Sequence, residues 1–256
     1  MLKVLRDRDA SPADRVRAAE LAGEFVVANE GLMRGLARIV GDGAEPADLR
    51  GRAAIALGAV LEMAFIEGWE EDDPDPDPDV PISPARFFEI QDTLRRVHGD
   101  PGAPEEVRRR ALEASVRAPE KWHEDAARSA LSSPQPLWRL TGVFCTRFLH
   151  GFDKEILQAL ESDESALRYE AVRAAGAHGL DAAWPHVVRI VERERSDRPL
   201  LLAAIDAVAS IRPEEADDVL SALSDLDDEE IEEAVFDALG TADVESLDEE
   251  ENEEDV

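Results

Sequence analysis

The chain has 256 residues, of which 44% are hydrophobic and only 5% aromatic, and its 59 acidic and 28 basic residues give a formal net charge of −31. Such a charge repels nucleic acids and anionic membranes unless basic residues are concentrated locally, so neither is expected as a partner. No run of about 18 apolar residues is present, and the N-terminal MLKVLRDRD lacks the apolar stretch of a signal peptide. We therefore expect a cytoplasmic protein.

The charged residues are unevenly distributed. Residues 213–256 contain 21 Asp or Glu and no Lys or Arg, and only three of the 28 basic residues are lysines. Abundant acid with little lysine suits a cytoplasm rich in salt, but a GC-rich genome would also favour arginine, and both explanations stay open. The single cysteine, Cys145, excludes an intramolecular disulfide and lies in the apolar run GVFCTRFL, so we expect it to be buried.

One short helical pattern recurs along the whole chain. Its clearest copy is Leu167–Gly176, where apolar residues at i, i+4, i+5 and i+8 fall on one helix face. Successive copies are 35, 58, 30, 30, 33 and 31 residues apart, and each except the last is followed by a second amphipathic segment. The copies begin at Asp14, Leu49, Val107, Leu137, Leu167, Leu200 and Ile231. This periodicity predicts an all-α protein, an α-solenoid of about six to seven helical hairpins.

The pattern also predicts how the chain is divided. The long spacing contains an acidic insertion at 70–83 in which Asp and Pro alternate, and alternating prolines favour an extended, solvated loop. After Gly240 the chain has no apolar face. We therefore expect one repeat domain over 1–241 and a disordered acidic tail over 242–256.

The repeat resembles the HEAT-like repeats of the phycobilisome lyase family and of many short bacterial and archaeal repeat proteins. The resemblance is carried best by Leu167, Ala171, Val172, Ala175 and Gly176 and extends over about residues 10 to 240. It implies the fold and the packing role of the small residues. It says almost nothing about function, because such repeats serve many roles.

The enzymes known on such repeats need features that the sequence does not supply. A di-iron hydroxylase of this type would need several His-Glu dipeptides, and only His123-Glu124 is present; His178 and His186 form no same-face ligand pair. No feature of the sequence indicates the groove that a bilin lyase would need to bind its tetrapyrrole. A HEAT-like DNA glycosylase should have a basic concave face. The three arginines at 108–110 instead point in three directions around their helix. The sequence thus predicts no metal, no cofactor and no enzymatic activity.

A binding surface is the remaining hypothesis. In such repeats the second helices usually line the concave side, and a mildly basic set of residues is predicted to point outward from them. These are Arg95, Arg96, Lys121, Trp122, His123, Lys154, His186, Arg189 and Arg193. Because Trp and Arg often anchor interfaces, we expect a monomeric scaffold that binds another protein.

Other interpretations stay open. Trp122 and Trp184 could instead pack between repeats, with the arginines paired to nearby acids. A lyase or a metal-dependent enzyme on the same scaffold, and a regulatory module whose acidic tail folds back onto the basic set, are the alternative functions.

Overall fold

A computed structural model describes residues 1–24, 29–68, 82–193, 195–223 and 228–254. Over these ranges the chain is all-α, with fourteen α-helices, three short 3-10 turns and no strand. The predicted fold class is confirmed: each part of the chain is a stack of HEAT-like helical hairpins, the repeat of α-solenoids. The chain divides into two compact units, Met1–Ala126 and Ala127–Val256. The predicted Asp-Pro loop at 70–83 lies outside the described residues apart from its last two.

The first unit is built from two rows of helices. Its helices are α1 (Leu2–Arg6), α2 (Pro12–Glu24), α3 (Glu30–Gly41), α4 (Ala47–Glu67), α5 (Pro84–Gly99) and α6 (Glu105–Ser115). Helices α2, α4 and α6 pack side by side as the first helices of their hairpins, and α3 packs against α5 in the second row. Helix α1 is not predicted from the sequence, yet it contributes Leu5 to the core.

The second unit repeats this arrangement. After α7 (Trp122–Leu131), which spans the boundary, come α8 (Pro136–Thr146), α9 (Asp153–Leu160), α10 (Ser165–Ala177), α11 (Trp184–Arg193), α12 (Arg198–Ile211), α13 (Ala216–Leu220) and α14 (Glu229–Glu254). Helices α8, α10, α12 and α14 stack as first helices. Cys145 is fully buried, as its apolar surroundings predict.

The last helix is longer than the sequence predicts. Helix α14 runs from Glu229 to Glu254 and so passes through residues 242–254, where a disordered tail is expected. Glutamate is a good helix former, and no glycine or proline follows Gly240, so no helix-breaking residue ends the helix earlier.

The small residues of the consensus set the distance between neighbouring first helices. The glycine of one repeat lies against an alanine of the next in three pairs: Gly23 with Ala56, Gly58 with Ala114 and Gly176 with Ala207. A Cβ atom added to Gly176 would lie 3.1 Å from the Cα of Ala207, which is tighter than ordinary van der Waals contact. The glycine is therefore explained by close stacking, as the sequence predicts.

Arginines connect consecutive helices of the first unit. In three cases an arginine near the start of a first helix donates to a backbone carbonyl ten residues earlier, at the end of the preceding helix. The pairs are Arg15 with Leu5, Arg50 with Val40 and Arg108 with His98, at 2.9 Å each for the shortest nitrogen–oxygen distance. These bonds satisfy carbonyls that a helix end leaves without an intrahelical donor. They therefore fix how each hairpin follows the one before.

No helix within the described ranges is both long enough and apolar enough to cross a lipid bilayer.

Candidate functional site

The structure separates the nine predicted binding residues into small groups. Six of them are exposed: Arg95, Arg96, Lys121, Lys154, Arg189 and Arg193. Trp122 and His186 are partly exposed, and His123 is buried. Arg95, Trp122 and His123 come together in the first unit, whereas the Arg189 side chain contacts His186 at 2.9 Å in the second.

Trp122 is the centre of the larger group. The Arg95 guanidinium carbon lies 5.6 Å from the centroid of its ring, and the centroid of the His98 ring also lies 5.6 Å from it. The Trp122 indole nitrogen donates to the Glu120 carboxylate at 3.0 Å, and that carboxylate is 3.7 Å from Arg95. We call Arg95, His98, Glu120, Trp122 and His123 the Trp122 cluster. It joins the end of α5 to the start of α7.

The prediction that His123 points outward is wrong. Its side chain has 0% exposure, and its ring stacks on that of Trp122 with the centroids 3.8 Å apart. Burial lowers the pKa of His123 to about 4, because the charged imidazolium would lose its hydration; the Glu120 backbone contact opposes this shift. Burial likewise lowers the pKa of His98. The imidazole of His123 is therefore a neutral part of the core that supports the partly exposed Trp122.

Hydrogen bonds fix the orientation of His123. Its Nδ1 lies 2.8 Å from the Glu120 backbone nitrogen and 3.1 Å from the Glu120 carbonyl oxygen, and its Nε2 lies 3.0 Å from the Ser115 hydroxyl oxygen. That hydroxyl in turn donates to the Leu112 carbonyl at 3.3 Å. Ser115 and His123 are thus joined in a chain of hydrogen bonds between two fully buried side chains. Gln91 adds a further tie, because its amide nitrogen donates to the Ala118 carbonyl at 2.7 Å.

The other histidines lie apart from this cluster. His178 contacts the Thr146 carbonyl at 2.7 Å through Nε2, and its ring centroid is 5.0 Å from that of His150. Among the described residues, no three His, Cys, Asp or Glu side chains are grouped closely enough to hold a metal ion.

Sequence reasoning missed two members of the Trp122 cluster. Glu120 lies only two residues before Trp122, and an acid beside an indole is a signal that could have been used. His98 lies on a different helix, so only the packing of α5 against the α6–α7 connection brings it to Trp122.

Comparisons with known proteins give structural similarity alone. No family model matches the chain, and no curated protein matches it in sequence. Human deoxyhypusine hydroxylase, solved in complex with glycerol, aligns at 17% identity over 94% of both chains, with a TM-score of 0.43. The YibA protein of Escherichia coli aligns at 14% identity over 93% of this chain and 90% of its own, with a TM-score of 0.45. An engineered protein aligns at 16% identity over 95% of both chains, with a TM-score of 0.36. The first two are HEAT-like helical repeat proteins.

These comparisons correct one prediction. The sequence predicts that the chain is not an enzyme, and this prediction is overturned because a structural neighbour that aligns with nearly the whole chain is a hydroxylase. The reasoning failed because it took the absence of familiar motifs on a repeat scaffold as evidence against catalysis.

Proposed function

We propose that the protein is an interaction scaffold that binds another protein through a surface that includes the Trp122 cluster. The observation that carries the proposal is the partly exposed indole of Trp122, flanked by the Arg95 guanidinium at 5.6 Å. Tryptophan and arginine are the residues most enriched among interface hot spots, since each combines a large contact area with a polar group. The exposed Lys121 beside them adds a second cation.

The buried part of the cluster supports the same proposal. The stacked ring of His123 and the Glu120 carboxylate hold the indole in one orientation before any partner arrives. A side chain that is already ordered loses less conformational entropy on binding. The partner surface that fits this site is apolar at its centre, to cover the indole, and acidic at its edge, to face Arg95 and Lys121.

The other parts of the proposal rest on the sequence. The repeat consensus supports placing these hairpins with the HEAT-like repeats that the phycobilisome lyases also carry. A monomeric chain in the cytoplasm, with neither nucleic acid nor membrane as its partner, belongs to the same proposal.

Affinity capture with matched variants tests the proposal. Trp122→Ala and Arg95→Glu should each remove the same captured proteins, and a purified partner should lose affinity by roughly 30-fold or more for the tryptophan variant. Trp138→Ala, which truncates a partly exposed tryptophan outside the cluster, is the matched control and should retain them. If Trp138→Ala loses the same proteins, or if Arg95→Glu retains all of them, the cluster is not the binding surface.

A further inference from the structure

A second candidate site lies in the second unit and shares no residue with the Trp122 cluster. It is a groove of about 590 Å³ between helices α7, α8, α9 and α10. Leu131, Val143 and Leu167 supply apolar walls, and Arg128 and Arg139 are its two cations. The one acidic lining residue is Glu155, so the lining has a formal charge of +1 in a chain whose net charge is −31.

Arg128 is held by an aromatic ring instead of a carboxylate. Its guanidinium carbon lies 4.5 Å from the ring centroid of Phe152, whose side chain is fully buried. Stacking covers one face of the guanidinium and leaves its N–H edge available for a planar acceptor. In the described part of the chain, no carboxylate pairs with Arg128. This is notable because acids outnumber bases 59 to 28.

Arg139 is fixed by backbone atoms. Its Nη1 donates to the Pro134 carbonyl at 3.0 Å and to the Ser133 carbonyl at 3.3 Å. Its Nη2 forms an ion pair with the Glu164 carboxylate at 3.7 Å, a distance longer than that of a hydrogen bond. The groove therefore holds two positioned guanidinium groups beside apolar walls.

We propose that this groove binds a carboxylate that carries an apolar group. Arg128 would engage the carboxylate through its planar N–H edge, and Arg139 would supply the second charge-assisted contact. The apolar walls would cover the attached group, and the volume is that of a small-ligand pocket. Two sources share this chemistry: an Asp or Glu side chain within a peptide, and a small free carboxylic acid. The proposal does not rest on the Trp122 cluster, so either can fail alone.

Calorimetric titration of the full chain at physiological salt tests the site with defined probes. One probe is an acetylated and amidated five-residue peptide of alternating leucine and glutamate, and its partner peptide carries glutamine in place of glutamate. Hexanoate, a carboxylate with an unbranched apolar chain, is the small-acid probe. We expect saturable binding of at least one carboxylate probe, with the glutamine peptide about tenfold weaker or worse. Which probe binds identifies the source of the carboxylate.

Variants decide whether the groove is responsible. Arg128→Gln and Arg139→Gln should each weaken binding by about tenfold, since each removes a charge-assisted contact. Arg34→Gln removes an exposed arginine of the first unit and should leave the affinity unchanged. Thermal melts establish that every variant is folded. Absence of binding by all carboxylate probes, or equal weakening by Arg34→Gln, would overturn the proposal.

Discussion

Protonation of His123 should destabilise the fold in a defined pH range. The imidazole is fully buried, and its pKa is lowered from 6.5 to about 4. The unfolded chain binds the proton more readily than the folded chain does. The contribution of the neutral imidazole to the free energy of unfolding is therefore fully present above pH 6.5 and is lost as the pH falls towards 4. Between about pH 8 and about pH 5 this one group removes roughly 2 kcal/mol from the free energy of unfolding.

Urea unfolding followed by circular dichroism measures the effect. The many carboxylates also titrate in acid, so the quantity to follow is the difference between the wild type and His123→Gln, in which the shared titrations cancel. That difference should shrink by roughly 2 kcal/mol between about pH 8 and about pH 5. An NMR titration should give an imidazole midpoint far below 6.5 for His123. A difference that is independent of pH, or a midpoint near 6.5, would refute the reasoning.

Two further predictions test the stacking. Gly176→Leu forces a side chain into the contact with the next repeat and should cost roughly 1–3 kcal/mol in urea unfolding. Gly240→Leu, at the equivalent position of the last helix, should cost nothing, because among the described residues no group from outside its own helix lies within 4 Å of the added Cβ atom. Equal losses would contradict the repeat register. Arg50→Leu removes the donor to the buried Val40 carbonyl and should cost about 1–3 kcal/mol by the same assay. Arg52→Leu, which removes an exposed arginine nearby, should cost far less. If Arg50→Leu leaves the free energy of unfolding unchanged, these arginines do not link the helices.

The sequence was sufficient for the repeat register because that register follows from side-chain size. Leu167, Ala171 and Ala175 all lie in the core, as their spacing on one helix face predicts. The contact of Gly176 with the next repeat follows from the same pattern. Only small residues allow two helices to approach so closely, so their positions in the sequence report the contact directly.

Long-range polar contacts were less predictable. A histidine beside a partly exposed tryptophan can point either way, and the buried ring of His123 contacts Ser115 in the preceding helix. In the groove between α7 and α10, Arg128 of α7 stacks on Phe152, which lies just before α9, and no shared motif links these two residues. Periodicity locates helix faces, but it does not specify which polar groups meet across them.

Site-specific photocrosslinking tests the central claim most directly. Lys121 is exposed beside Trp122, so replacing it with the photoreactive residue benzoylphenylalanine places a probe at the proposed interface without disturbing the core. Irradiation in cell extract should produce one discrete crosslinked protein partner, whereas the same probe in place of the exposed Arg34 should produce none. Identical crosslinks from both positions, or none from position 121, would contradict a protein-binding surface at the Trp122 cluster.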